Sequence, residues 1–93
     1  MKECAIEHIF TTMVKQRGGL CLKFVSPARV GVPDRIVLAP NGRVVFVELK
    51  ADGGKLSRIQ ERQIERMRDH GAEVRVLRGM SEAMKFVSEV FPD

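Results

Sequence analysis

The sequence predicts a small α/β domain, a mixed four-stranded sheet flanked by helices in the order αβββαβα. Three observations predict it. Apolar residues recur at helical spacing from Lys2 to Arg17. The apolar runs Ile36–Ala39 and Val44–Lys50 enclose Pro40-Asn41-Gly42, and Asn-Gly between two such runs is the strongest short-range hairpin signal. A second helical stretch then precedes the alternating run Glu73–Leu77. A strand reached through such a crossover most simply lies parallel to its neighbour, here Val44–Glu48.

Each element has its own warrant. In the first helix Ala5, Ile6, Ile9, Phe10, Met13 and Val14 form the apolar face, and Gly18-Gly19 stands where a C-terminal cap belongs. Leu20–Val25 reads as a strand that Ser26–Gly31 breaks with turn chemistry. After the hairpin, Asp52-Gly53-Gly54 is a loop, Ser57 is an N-cap, and the second helix continues to His70 with Gly71 as its stop. Ser81 is expected to cap the closing helix, whose apolar positions are Ala83, Met84, Phe86, Val87 and Val90, before Pro92.

The composition narrows the function. A chain of 93 residues is expected to form one domain with a modest core. Its 16 Lys and Arg against 12 Asp and Glu leave a net charge of +4, which permits a polyanionic partner without identifying one. Cys4, Cys21, His8 and His70 offer no zinc-type spacing, and both cysteines are expected to be reduced. The opening Met-Lys-Glu and the lack of a long apolar run predict neither a signal peptide nor a membrane span, which favours the cytoplasm. With no Trp or Tyr, five Phe are the only rings that could stack on unpaired bases. That argues against a dedicated single-strand binder.

The chemistry lies at the ends of the hairpin. Side chains alternate along a strand, so Val44, Phe46, Glu48 and Lys50 share one face and Val45, Val47 and Leu49 the other. Closing the hairpin through Asn41-Gly42 brings Asp34, just before the first strand, beside Glu48 near the end of the second. Two close carboxylates repel unless a cation separates them, and oxygen ligands of this kind suit Mg²⁺ or Mn²⁺. Lys50, on the same face, is within reach of a bound anion. A divalent ion with an ammonium group beside it suits phosphodiester hydrolysis. Gln60 and Gln63 project from the middle of an apolar helix face formed by Leu56, Ile59, Ile64 and Met67, and polar groups there need partners. A glutamine aimed at Asp34 or Glu48 would have one, as would one bonded to a strand-edge carbonyl.

These residues resemble the virus-type replication-repair nuclease (VRR nuclease) domain of the PD-(D/E)xK superfamily. Gly31-Val32-Pro33-Asp34 looks like the family's G-x-P-D, Glu48-Leu49-Lys50 like its E-x-K, and Leu56–Gln60 like its downstream glutamine motif. The resemblance covers nearly the whole chain and implies a single domain over residues 1–93 with a small restriction-endonuclease-like core. It further implies that Asp34, Glu48 and the Leu49 backbone carbonyl bind Mg²⁺ or Mn²⁺, that Lys50 assists catalysis and that Gln60 supports the site. The family also places a glutamate on the first helix, either Glu3 or Glu7. Helical geometry favours Glu3, which lies nearer the centre of the apolar face, although a glutamate there also suits the helix dipole. The implied setting is the cytoplasm of a bacterial or phage-infected cell.

Among the basic residues, Arg29, Arg35, Lys55 and Arg58 stand nearest the motifs and are the expected phosphate contacts, which position DNA without reading its sequence. The expected activity is a metal-dependent DNA endonuclease acting on branched DNA such as four-way (Holliday) junctions. A chain this short is expected to work as a homodimer, with candidate contacts at Phe24 and Val25, at Phe86, Val87, Val90 and Phe91, and at the hairpin near Arg43. No membrane and no small-molecule substrate are expected. The alternative is a DNA-binding or assembly module that does not cut, or a nuclease active only within a larger replication or repair complex; the intact Asp34, Glu48 and Lys50 argue against it.

Overall fold

A computed structural model of the protein describes residues 1–92. The elements are α1 (Glu3–Gln16), β1 (Leu20–Lys23), β2 (Arg35–Leu38), β3 (Val44–Lys50), α2 (Arg58–Asp69), β4 (Val74–Arg78) and α3 (Gly79–Val90). They form one four-stranded sheet in the order β1-β2-β3-β4. β1 and β2 pair antiparallel, as do β2 and β3 across the Asn41-Gly42 turn, and α2 is the crossover that lets β4 join β3 in parallel. Both the mixed sheet and its parallel edge follow the sequence reading.

Strand alternation gives the sheet two unequal faces. Val37, Val45, Val47, Leu49 and Leu77 belong to the face covered by α1 and α3, where they meet Ile6, Phe10, Val14, Ala83, Phe86 and Val87 in the main core. The rings of Phe10 and Phe86 lie 5.8 Å apart there. α2 packs over β4 on the other face, and only a small cluster around Ile64 and Val74 is buried beneath it. Farther along that face Leu20, Leu22 and Val44 are 57%, 46% and 46% exposed, since no helix covers β1 and β2 on this side of the sheet. Among the described residues no helix is long and apolar enough to cross a membrane.

Two expectations change. Ser81 does not cap the last helix: α3 starts at Gly79, directly off β4, and the Glu82 carboxylate accepts the Arg78 backbone N–H at 2.9 Å in place of a serine. The chain can turn there because Gly79 takes φ +80° and a Cβ on it would collide with the Asp52 carboxylate. The apolar tail is not a contact surface either. Phe86, Val87, Val90 and Phe91 are buried in the core, and Arg17 donates to the Phe91 carbonyl at 2.6 Å. The hairpin residue Arg43 is likewise engaged within the chain, in a bidentate pair with Glu73 at 3.0 and 2.6 Å.

Candidate active site

The site grows from strand register. β2 and β3 pair Arg35 with Val47, so one step outward sets Asp34 opposite Glu48 on the face that carries α2. A backbone bond from the Phe24 N–H to the Asp34 carbonyl, at 2.8 Å, extends the β1–β2 pairing to this point. Pro33 is fully buried, which anchors the entry to β2. Gly31 explains the remaining geometry of the loop: at φ +90° it runs so close to the first turn of α2 that a Cβ would strike the Ile59 side chain and come within 3.0 Å of its backbone. The loop and α2 are thus fixed against each other, with Asp34 at the end of one and Gln60 on the other.

Glu48 is 6% exposed, and it is the one charged residue buried in the fold among the described residues. Burial, and next the charge of Asp34, push its carboxyl from 4.5 up to about 7, while Lys50 opposes the shift. The Lys50 ammonium lies 3.7 Å from Glu48 Oε2. Gln60 Nε2 donates to the same oxygen at 3.4 Å. The amide is held by the helix end itself: Ser57 Oγ accepts the Gln60 N–H at 3.1 Å, and Gln60 Oε1 accepts the Ser57 N–H at 2.9 Å, a capping box. Beyond Lys50, Arg78 Nε donates to the Gly54 carbonyl at 3.0 Å and ties down the loop that follows β3.

Asp34 Oδ1 is buried without a hydrogen-bond partner. A buried anionic oxygen left this way is costly unless a cation satisfies it. Paired carboxylate oxygens are the donors a hard divalent cation prefers, so the residues fit Mg²⁺ or Mn²⁺. Among the described residues no group of three His, Cys, Asp or Glu converges as a ready-made metal cluster, so the carboxylate pair is the nucleus of the site.

The two first-helix glutamates separate clearly. The charge of Glu3 acts on Glu48, raising its pKa, whereas Glu7 lies 3.7 Å from the Arg35 guanidinium. Arg35 points to the α1 side of the sheet, opposite Asp34, and so is not brought to the face expected to meet phosphate. Arg29, Lys55 and Arg58 are exposed, Arg29 in the loop before Asp34 and the other two between Lys50 and Gln60 in the chain. Gln63 makes no hydrogen bond within the described residues and lines a cleft with Phe24, Phe46 and Arg66. The sequence reading leaves Phe46, Arg66 and this cleft out of the site, although Phe46 shares the strand parity of Glu48.

Comparison with known proteins gives concordant results. The family model of the VRR-NUC domain matches residues 2–81. The chain is 46% identical over 77 residues to "Putative nuclease p44" of Acyrthosiphon pisum secondary endosymbiont phage 1, covering 83% of each protein. A solved VRR_NUC domain structure superposes with a TM-score of 0.87 at 31% identity, covering 95% of this chain and 96% of the other.

Proposed function

The chain belongs to the VRR-NUC domain family, and from that membership and the chemistry of its site we propose that it is a divalent-metal-dependent endonuclease that hydrolyses DNA phosphodiesters. The observation that carries this reading is the facing pair of Asp34 and the buried Glu48, with a buried, partnerless Asp34 oxygen on one side and Lys50 on the other. Mg²⁺ or Mn²⁺, when bound, supplies a Lewis acid for the phosphoryl group and favours deprotonation of the attacking water. Asp34 and Glu48 would hold the ion, and the Leu49 carbonyl and Glu3 would be the nearest candidates for further oxygen donors. Lys50 stabilises the negative charge that grows on the phosphate as the new P–O bond forms and the ester P–O bond breaks. Gln60 keeps the Glu48 carboxylate in one orientation. Arg29, Lys55 and Arg58 contact backbone phosphates, so recognition follows DNA shape more than base sequence.

The proposed substrate is branched DNA, four-way junctions above all, and the proposed working unit is a homodimer. One such domain carries one such site, and symmetric cleavage of two strands calls for a second copy, most simply about a twofold axis. The exposed apolar face of Leu20, Leu22 and Val44 supports a protein contact there.

Purified protein assayed on linear duplex, flap, fork and four-way junction DNA, with and without Mg²⁺ or Mn²⁺, tests the reading. Cleavage is expected only with the ion, fastest on the junction and as paired symmetric nicks, and Asp34→Asn is expected to abolish it without unfolding the protein. Full activity in chelator would overturn the metal role. Equal rates on linear duplex would overturn the branch preference, and no cleavage of any DNA would overturn the nuclease itself.

A further inference from the structure

We propose that the cleft between β3, the loop before Asp34 and α2 is a nucleobase site that receives one unpaired base next to the scissile phosphate; this rests on the nuclease reading. Three of the five Phe are spent in the core, Phe10, Phe86 and Phe91. The other two, Phe24 and Phe46, are half-buried and meet edge to face at 5.7 Å in the wall of a 410 Å³ cleft. A pocket of that size takes a small planar ligand, and aromatic walls favour a base because every base has a π-face.

The polar groups of the cleft suit the same ligand. Gln63 offers an amide donor and acceptor with no partner among the described residues, the complement of a base edge. Arg29 and Arg66 flank the cleft, and neither guanidinium pairs with a carboxylate among the described residues. An occupant that is apolar in its ring and anionic beside it satisfies both features. A second groove, sharing Arg29 and Gln63, continues over α2 to Arg62 and extends the basic path.

Position ties the cleft to the site. Phe46 lies two residues before Glu48 on the same face of β3, about 7 Å away at the rise of a strand. Gln63 likewise follows Gln60 by one helical turn on α2. A nucleotide whose phosphate meets Glu48 and Lys50 therefore has its own base, or its neighbour's, at the cleft. Bases inside a duplex are stacked and cannot enter, whereas those at a branch point open at smaller cost. Branch preference is then read chemically, as the availability of a free base.

Two measurements test this. In the first, each nucleotide around the cut is replaced in turn by an abasic residue. One position is expected to slow cleavage at least tenfold, and the sensitivity is expected to shrink to within twofold in Phe24→Leu and Gln63→Ala, the latter leaving the capping box and the packed apolar positions untouched. Uniform rates at every abasic position would overturn the base site and leave the nuclease standing. In the second, 2-aminopurine placed at that branch position is followed by fluorescence in chelator, where cutting plays no part. Its emission is expected to change at least twofold on binding the unaltered protein and to stay constant with Phe24→Leu. An unchanged signal with the unaltered protein would overturn the base site whatever the cleavage result.

Discussion

Glu48 is held in the fold at an electrostatic cost. Its pKa in the folded chain, about 7, exceeds the ordinary 4.5, so the folded protein binds a proton more readily than the unfolded one over that interval. Stability is therefore greatest below about pH 4.5 on this account and is lost as pH rises toward 7, by about 3 kcal/mol at most. Replacing the charge tests it: in chelator, Glu48→Gln should be more stable than the unaltered protein by about 1–3 kcal/mol at pH 8, with the gap closing at pH 5. Denaturant titrations at the two pH values decide, and an equal gap at both would contradict the assignment. Added Mg²⁺ should raise the stability of the unaltered protein and leave Glu48→Gln nearly unmoved. Lys50 separates binding from catalysis. Because it is one cation among many phosphate contacts, Lys50→Ala should lower cleavage about a hundredfold or more and DNA affinity less than about threefold. Parallel losses would make it a docking residue. The Asp34–Glu48 pairing was readable from strand parity and one Asn-Gly turn, both local rules. The partner of Arg35 was not, because its pairing with Glu7 joins distant segments across the sheet.

The second helix shows how an element can serve two ends at once. Ser57 and Gln60 have the S-x-x-Q spacing of a capping box, so the signal for the Gln60 backbone role stood in the sequence beside the signal for its proposed active-site role. The box fixes the amide's oxygen, which leaves its nitrogen for Glu48. The two functions separate by substitution. Ser57→Ala should cost about 1 kcal/mol of stability and change cleavage little, whereas Gln60→Leu should cost a similar amount and also lower cleavage at least tenfold. Thermal unfolding with matched cleavage rates checks this; undiminished cleavage by Gln60→Leu would return the residue to a purely structural role. Helix and strand order were legible because each element carries a clear period and a stop. The start of α3 was not, because Ser81 looks like the cap while Glu82 takes the Arg78 N–H, and because the close approach of Asp52 to Gly79 is a tertiary contact that no local spacing encodes.

At the scale of the molecule, the uncovered face of β1 and β2 is where a second copy is expected. Light scattering should give twice the chain mass of 10.5 kDa. Leu20→Lys with Leu22→Lys should give a folded monomer with weakened junction cleavage, since both side chains are already about half exposed. A dimer that survives both changes would place the contact elsewhere. Substitution of the tail at Phe86 or Phe91 should instead unfold the chain, by about 3–5 kcal/mol for Phe86→Ala. The inequality of the two faces reaches further than assembly. One side of the sheet carries nearly all the packed hydrocarbon, and the other carries Asp34, Glu48 and the cleft with its arginines. A library randomised at Arg29, Gln63 and Arg66 should therefore keep most of its members folded while varying what they grip, and one randomised at Ile6, Phe10 and Val14 should lose most of its members to misfolding. Innovation in what is recognised is thus free to run on one side of a sheet while inheritance of the fold is guarded on the other.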